Sequence, residues 1–225
     1  MKYGFYKQQR DYFPDPSFAL DQGIVAVGGE LDTELLFEAY SFGIFPWPHD
    51  DHPLLWFSPD RRGVITRQSY KVPKSFKKFL RKTNFELRID TEFEEVIDAC
   101  SKAKRKEGPG TWITDEMRAA YIQFFKDGYA HSIECWSENQ LVGGMYGVYL
   151  GGVFSGESMF FLKDNASKFC LYHLLEKMWE TGHDFVDIQM VTPATEAFGG
   201  TFFPRSDYIN RILSSTSRKT EFPRF

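Results

Sequence analysis

Two carboxylates and one amide are the side chains of this sequence that could do chemistry. Glu157 lies in a run that predicts a strand, and Asp187 and Gln189 stand two apart in a second predicted strand. Residues two apart on a strand share a face, so Asp187 and Gln189 are expected to point the same way. Such converging groups can orient a nucleophile and hold a cation, whereas either acid alone would also fit a buried ion pair.

Two tryptophans could hold a flat ring near these groups. Trp47 stands between Pro46 and Pro48, and Trp112 stands where a loop enters a predicted helix. Rigid, exposed indoles serve as stacking platforms for nucleic-acid bases and contribute about 1–3 kcal/mol per base. Anchoring of the two loops is the alternative interpretation of each tryptophan taken alone.

Flexible and aromatic apolar side chains could line a slot beside the polar groups. Met159 follows Glu157 by two positions, so strand alternation would place both on one face. The candidate slot residues are Met145, Met159, Tyr121, Leu174 and Met178. Such side chains suit a linear or aromatic ligand, although ordinary core packing would use the same residues.

The elements that would position these groups follow from caps, glycines and periodicity. Helices are predicted from Asp32 to Ser41, from a Thr91–Glu94 capping box to Cys100, from Thr114 to Gly128, and from Asn165 to Glu180. Strands are predicted at 24–27, 131–136, 141–149, 153–160 and 185–190. The helix after Asn165 would join the strands of Glu157 and Gln189 as neighbours in a mixed sheet. The mixture predicts an α+β or mixed α/β fold.

The charge of the chain is unevenly distributed. The net charge is −4, yet residues 61–82 hold nine of the 27 basic residues and no acid, so 18 basic residues face 31 acids elsewhere, a remainder of −13. A short helix predicted after Pro73 carries the cations Lys74, Lys77, Lys78, Arg81 and Lys82. An acidic chain with one basic strip is expected to contact a polyanion there, with an ordinary solvated face as the alternative.

Composition excludes several classes of protein. The length suits either one large domain or one domain with a small extension, and a boundary near residue 60 gives domains 1–60 and 61–225. The cysteines, at 100, 135 and 170, show no metal-ligand spacing, so neither a zinc site nor a disulfide framework is expected. No transmembrane run and no signal peptide is recognised, so we expect a cytoplasmic protein that does not enter a membrane.

Seven short motifs occur in a fixed order along the chain. They lie at 43–47, 56–62, 110–114, 143–147, 156–160, 165–168 and 187–189. The first reads Gly-Ile-Phe-Pro-Trp, the fifth Gly-Glu-Ser-Met-Phe, and the last Asp-x-Gln. Together they resemble the leucyl/phenylalanyl-tRNA–protein transferase family over most of the chain. The resemblance implies a small N-terminal α/β domain followed by a GNAT-like acyltransferase domain with a mixed, mostly antiparallel sheet.

The resemblance also implies an activity and its partners. Members move Leu or Phe from aminoacyl-tRNA to the N-terminal Lys or Arg of a protein, which forms a peptide bond and marks the protein for N-degron degradation. For this chain the expected donors are Leu-tRNA, which is preferred, and the Phe and Met forms. No metal and no organic cofactor is expected.

Roles for individual residues follow from the same resemblance. Glu157, Asp187 and Gln189 would carry the chemistry and position the acceptor. The residues expected to hold the 3′ adenosine are Trp47, Trp112 and Tyr40. The slot residues would bind the aminoacyl side chain, and the basic helix would contact the tRNA.

One segment departs from the family pattern. After Asp-x-Gln many members read Thr-x-His-Leu-x-Ser-Leu-Gly-Ala, whereas residues 192–200 of this chain have Ala194 and Ala197 in place of the His and Ser. Leu174 and Met178 stand where many members carry larger aromatic side chains. These differences concern the choice of donor more than the core chemistry.

Three other functions compete with this interpretation. A CoA-dependent N-acetyltransferase would have a glycine-rich pyrophosphate loop at a helix N-terminus, but residues 161–165 read Phe-Leu-Lys-Asp-Asn. A noncatalytic tRNA-binding module would bind tRNA without any transfer. A peptidoglycan-type aminoacyl-tRNA ligase is the third alternative, although such enzymes are usually longer.

Overall fold

A small antiparallel sheet forms the N-terminal part of the molecule. The computed structural model describes residues 10–20, 22–49, 52–103, 112–216 and 221–225. A short 3-10 helix at Pro16–Phe18 precedes the sheet, whose strands run in the order β1-β3-β2. The strands are β1 Ile24–Val27, β2 Phe45–His49 and β3 His52–Phe57. The loop predicted between Lys102 and Gly110 lies mostly outside the described residues, as do the first two residues of the motif at 110–114.

A larger, mixed sheet forms the rest of the molecule. Its seven strands have the order β10-β4-β9-β8-β7-β6-β5. They are β4 Arg61–Thr66, β5 Glu86–Ile89, β6 Ala130–Ser137, β7 Gln140–Leu150, β8 Val153–Phe161, β9 Phe185–Gln189 and β10 Thr201–Pro204. Strands β8 and β9 pair in parallel, and the other neighbours pair antiparallel. The expected α+β fold with a mixed, mostly antiparallel sheet is therefore confirmed.

Helices cover both faces of the larger sheet. They are α1 Thr33–Ser41, α2 Lys74–Leu80, α3 Phe93–Lys102, α4 Asp115–Lys126, α5 Ala166–Glu180, α6 Pro193–Ala197 and α7 Arg205–Thr216. Helices α1, α3 and α4 share one hydrophobic cluster with β7, which we call the first cluster. Helices α2 and α5 form the second cluster on the opposite face, and α7 packs on β4 in a third. The crossover through α5 places β8 beside β9, as the sequence predicts.

Of the side-chain caps predicted from the sequence, two are present and two are not. Asp32 and Thr114 cap α1 and α4 through their side chains, as predicted. The predicted capping box at Thr91 is wrong, because the Thr91 side chain and its N–H both bond to the buried carboxylate of Glu134. Asn165 precedes α5 in a left-handed conformation, with a φ of 67°, and makes no side-chain capping bond within the described residues.

The predicted boundary near residue 60 falls between the two sheets. Strand β3 ends at Phe57 and β4 begins at Arg61. However, α1 packs in the same hydrophobic cluster as α3 and α4, so the small sheet and the large one share a core. We propose that residue 60 marks the boundary between the two sheets, which belong to one packed body.

Candidate functional site

The candidate site is a cavity of about 340 Å³ where β8 and β9 separate. The two parallel strands align at Ser155 and Asp187. The residues that follow, at 156–159 on β8 and from Ile188 to Met190 after the pairing, line the cavity. Neighbouring strands that part leave a crevice between their ends, and such crevices commonly bind ligands.

A β-bulge in β8 turns Glu157 toward the interior. The register with β7 shifts between Tyr146 and Gly147, which leaves Glu157 without an opposite residue. Its carboxylate contacts Tyr121 of the first cluster, whereas Met159 packs against the second. Simple alternation would place Glu157 and Met159 on one face, and the bulge interrupts that alternation.

A second register shift lies in β9. It falls between Gly63 and Val64 of β4 and leaves Ile188 without an opposite residue. Gln189 follows in the left-handed region with a φ of 56°, which costs a non-glycine residue about 1–2 kcal/mol. The N–H of Gln189 donates to Asp187 Oδ1 at 2.9 Å, and this hydrogen bond supports the strained backbone.

Polar side chains converge at the inner end of the cavity. Gln189 Nε2 donates to Glu157 Oε1 at 2.6 Å, and the Tyr121 hydroxyl donates to Glu157 Oε2 at 3.3 Å. The hydroxyls of Tyr121 and Tyr40 lie 2.5 Å apart. Glu157, Asp187 and Gln189 thus lie together, as expected from the crossover, and two tyrosines extend the chain of hydrogen bonds into the core.

The environment of Glu157 favours its neutral form. Burial, with the nearby negative charge of Asp187, raises the pKa of Glu157 to about 8. Hydrogen bonds from Tyr40 and Tyr121 and the positive charge of Arg62 act in the opposite direction. A carboxyl group whose pKa lies near neutrality can gain its charge when a cation binds beside it.

Asp187 lies in a fully buried ion pair. Arg62 Nε donates to Asp187 Oδ1 at 2.8 Å and Arg62 Nη2 donates to Oδ2 at 2.6 Å. The Tyr208 hydroxyl donates to Oδ2 at 2.8 Å. The two charged side chains are 1% and 0% exposed, so each charge depends on the other for compensation. Asp187 therefore forms a buried ion pair and also contacts Gln189.

Sequence reasoning missed Arg62 and Tyr208 as members of the site. Arg62 was counted with the basic strip, yet it is buried and faces Asp187 rather than solvent. The signal that could have found it is its place at the start of an apolar strand, where an arginine needs a buried partner. No sequence feature of Tyr208 distinguishes it from a core tyrosine.

The apolar wall agrees with the predicted slot only in part. Met145 and Met159 are opposite each other in the β7–β8 register and both line the cavity. Leu174 and Met178 are each 0% exposed and pack in the second cluster, away from the cavity lining that the structure describes. Lining residues outside the predicted slot include Leu171, Ile188, Met190, Thr192, Ala194 and Thr195. The helical repeat indicates which face of α5 is buried, but it does not show which turn of the helix reaches the cavity.

Tyr121 and Tyr40 lie behind the cavity. Tyr121 is fully buried in α4, and the described cavity lining does not include it. Tyr40 is buried in α1, stacks on Phe124 with ring centroids 6.3 Å apart, and shares its hydroxyl with Tyr121. Burial raises the pKa of both phenols, so both remain protonated donors near Glu157.

The two tryptophans share one wall of the cavity. Trp47 and Trp112 have ring centroids 6.5 Å apart and an interplanar angle of 48°. Phe45 and Pro46 continue the same wall along β2. The structure thus brings the predicted Trp47 and Trp112 together at the cavity, but not Tyr40.

The predicted basic helix is present and exposed. The exposed cations are Lys74, Lys77 and Lys78 of α2, with Arg81 and Lys82 in the turn after it. Among the residues that the structure describes, no ion pair engages any of these five. Phe76 packs on Phe198 with ring centroids 5.3 Å apart, and Phe198 follows α6, whose Ala194 and Thr195 line the cavity. The helix is therefore anchored beside the element that forms one cavity wall.

A larger cavity, of about 430 Å³, lies between the end of β5, the turn after β7 and residues 221–225. It contains a His131–Asp90 pair at 2.7 Å, with the His131 ring stacked on Phe222 at 4.0 Å. Its Asp90 and His131 side chains already pair with each other, and its lining does not include Glu157, Asp187 or Gln189. Size alone does not make it the better candidate, so we place the chemistry at the smaller cavity.

The described residues show neither a metal-ligand cluster nor a membrane-spanning helix. Across the described ranges, no cluster of three or more His, Cys, Asp or Glu side chains has a geometry that could hold a metal ion. None of the helices in those ranges is long and apolar enough to cross a bilayer.

Comparisons with known proteins show which family this chain resembles over most of its length. A family model described as "Leucyl/phenylalanyl-tRNA protein transferase" matches residues 64–213, and the model of the N-terminal domain of that family matches residues 29–60. A leucyl/phenylalanyl-tRNA–protein transferase of Lawsonia intracellularis is 42% identical over 209 residues, which span 93% of this chain and 92% of the relative. One of Pseudoalteromonas atlantica is 44% identical over 203 residues, spanning 89% and 86%.

A solved structure with some likeness is that of L-PGS from Bacillus licheniformis. It is 16% identical, has a TM-score of 0.38, and covers 66% of this chain and 47% of its own. We draw no argument from a likeness at that level.

Proposed function

Because the chain belongs to the leucyl/phenylalanyl-tRNA protein transferase family, we propose that it moves leucine from Leu-tRNA to the N-terminal Lys or Arg of proteins. Phenylalanine and methionine are weaker donors in this proposal. The product is a protein with one added N-terminal residue, which marks it for N-degron degradation in the cytoplasm. The observation that supports the reaction most directly is the Glu157–Gln189–Asp187 cluster at the inner end of an apolar cavity.

The donor occupies the cavity in two parts. The 3′ adenosine stacks against the wall of Trp47 and Trp112, whose paired rings suit a flat base. The aminoacyl side chain then lies between Met145, Met159 and Leu171. A slot of flexible apolar side chains discriminates weakly between donors that differ in length, because one methylene changes binding by only about 1–3 kcal/mol. Val- and Ile-tRNA are excluded by their branched Cβ atoms.

The chemistry needs positioning more than activation. The ester of aminoacyl-tRNA is already reactive, and an α-amino group with a pKa of about 7.7–8 is partly neutral near pH 7.5. The amine nitrogen bonds to the ester carbonyl carbon, and the bond from that carbon to the ribose oxygen breaks. The ribose oxygen leaves as a hydroxyl, with the proton that the amine gives up. Holding the two reactants together supplies about 7–11 kcal/mol.

Each polar group has a role in that positioning. Gln189 orients the attacking amine, and Asp187 holds Gln189 through its backbone N–H. An amide is a poor base, so a water or the ribose hydroxyl takes the proton. Glu157 binds the cationic side chain of the acceptor and becomes ionised as it does so, since a nearby cation favours the carboxylate.

The tRNA body lies against the basic helix. The five exposed cations of α2 and its following turn face solvent beside α6, so a tRNA whose end is in the cavity can reach them. Contacts of this kind are to phosphates and depend steeply on salt.

Transfer of radiolabelled leucine tests the function directly. Leu-tRNA is incubated with a model protein that begins with Arg, beside the same protein beginning with Gly. We expect label on the Arg protein alone. Bound tRNA with no label on either protein would contradict the proposal and favour a noncatalytic tRNA-binding module.

A further inference from the structure

Arg62 touches both walls of the cavity from behind. Its Nε and Nη2 grip the carboxylate of Asp187 on β9, and its Nη1 donates to the carbonyl oxygen of Gly43 at 3.3 Å. The guanidinium also lies between two rings, 4.5 Å from the centroid of Phe45 and 4.6 Å from that of Tyr208. A planar group with several fixed donors can make all these contacts at once, which a lysine cannot.

One branch of these contacts leads to Gln189. Arg62 and Tyr208 fix the two oxygens of Asp187, and Oδ1 then accepts the N–H of Gln189. That bond supports the left-handed backbone of Gln189 and so aims its side chain at Glu157. Among the described residues, neither Arg62 nor Tyr208 hydrogen-bonds to Gln189, so both act on Gln189 through Asp187.

The other branch leads to the tryptophan wall. Gly43 follows α1 in the left-handed region, with a φ of 75°, and a Cβ there would lie 2.7 Å from the Tyr208 ring. Only glycine fits, and its carbonyl is held by Arg62 where the chain turns into β2. Two residues later Phe45 begins the strand that carries Trp47 to the cavity. The position of this wall therefore depends on the same guanidinium.

We propose that Arg62 is a positioning residue that couples the orientation of Gln189 to the placement of the Trp47 wall, with Tyr208 supporting the Gln189 branch alone. This inference rests on the proposed transferase function. Arg62 then influences both the rate of the chemical step and the affinity for the aminoacyl-adenosine end of the tRNA.

Two variants separate the branches. Tyr208→Phe removes the hydroxyl bond to Asp187 and keeps the ring that packs on Gly43 and Arg62, so the single-turnover rate should fall by about tenfold with unchanged affinity for Leu-tRNA. Arg62→Lys keeps a positive charge and loses the fork and the Gly43 contact. We expect its rate to fall by about a hundredfold and its affinity by about tenfold.

The rates are measured with saturating enzyme over limiting Leu-tRNA. Under these conditions a smaller folded fraction does not change the rate constant, so a purely structural role would leave it unmoved. Arg88→Lys is the matched control, because Arg88 also lies over a ring, that of Trp136 at 4.3 Å, and pairs with Glu86, on the far strand β5. It should change neither rate nor affinity.

Binding of a non-hydrolysable leucyl-adenosine amide keeps the test independent of turnover. The analogue should bind less tightly to Arg62→Lys and equally to Tyr208→Phe, Arg88→Lys and the unmodified protein. A wild-type rate for Tyr208→Phe, or wild-type analogue affinity for Arg62→Lys, would overturn the proposal. An unmodified protein that binds the analogue but transfers nothing would instead refute the proposed function, and the analogue affinities would still decide the role of Arg62.

Discussion

At the scale of single residues, Glu157 is the group whose charge changes near neutrality. Its pKa is raised to about 8 by burial and by Asp187. The attacking α-amino group titrates over the same range, at about 7.7–8. In the proposed reaction productive binding of the acceptor requires each group to lose a proton, so their contributions to the pH dependence add.

The pH profile of kcat/KM for the acceptor separates these two protons. Below about pH 7 the logarithm of kcat/KM should rise with a limiting slope of about 2 for the wild type, since free enzyme and free acceptor each lose one proton. Glu157→Gln should lower kcat/KM and reduce the slope to about 1. Glu138→Gln, in the turn after β6, is the control. Equal slopes for Glu157→Gln and the wild type would exclude this role for Glu157.

We expect Ala194 to limit the size of the donor side chain that the cavity accepts. It lines the cavity from α6, whereas Ala197 of the same helix packs against the second cluster. Ala194→Leu should lower kcat/KM for Phe-tRNA by about tenfold more than for Leu-tRNA, because the added methylenes occupy the end of the slot. Ala197→Leu should leave the Phe-to-Leu ratio unchanged. The ratio is measured with both donors in competition, and an unchanged ratio in Ala194→Leu would count against this placement.

At the scale of elements, α2 has the properties of a phosphate-binding surface. Phe76 anchors its apolar side, and its cations face solvent without ion pairs among the described residues. Each lysine that contacts a phosphate contributes one released counterion, so its removal changes the salt dependence of binding by a predictable amount.

Charge reversal on α2 should weaken tRNA binding. For Lys77→Glu with Lys78→Glu, the affinity should fall by at least about tenfold at low salt, and the slope of log affinity against log salt should drop by about 2. Lys102→Glu with Lys126→Glu changes the net charge equally on α3 and α4 and is the control. Filter binding over a salt series gives both slopes, and identical losses in the two pairs would mean that the net charge, not α2, is responsible.

The sequence predicts the elements well where capping residues and glycines bound them, as in α1, α4 and the meander of β6, β7 and β8. It does not predict α6, β10 or α7, because these short or weakly patterned segments are fixed by packing on β4 and on the second cluster. Strand β5 lacks a clear signal for the same reason, since its pairing with β6 fixes it.

The site is predicted by residue type more reliably than by geometry. Glu157, Asp187 and Gln189 meet because the crossover through α5 makes β8 and β9 neighbours, and that topology follows from the sequence. The bulge at Glu157 and the left-handed Gln189 depend on tertiary contacts and leave no periodic signature. Arg62 is not recognised for a different reason, since its place in the basic strip outweighs the signal of the apolar strand that follows it.

At the scale of the whole molecule, the site should lower stability at neutral and alkaline pH. A carboxyl whose pKa is higher in the folded state than its usual 4.5 keeps its proton after the unfolded chain has lost it. Stability is therefore fully present below about pH 4.5 and declines as the pH rises toward 8, where the loss levels off.

Glu157→Gln should remove the pH dependence of stability that Glu157 causes. The free energy of unfolding of the variant minus that of the wild type should grow between about pH 4.5 and 8, by an amount on the order of a few kcal/mol, and stay constant above. Urea unfolding at a series of pH values measures the difference. A difference that shrinks as the pH rises would contradict the raised pKa of Glu157.

The measurement that tests the central claim most directly is the single-turnover rate of leucine transfer by Gln189→Ala and Asp187→Ala, with tRNA affinity measured on the same preparations. Both variants should bind Leu-tRNA nearly as tightly as the wild type and transfer leucine at least about a hundredfold more slowly, because the amine is no longer held against the ester. Transfer near the wild-type rate in both variants, with tRNA binding intact, would show that the chemistry takes place without this cluster.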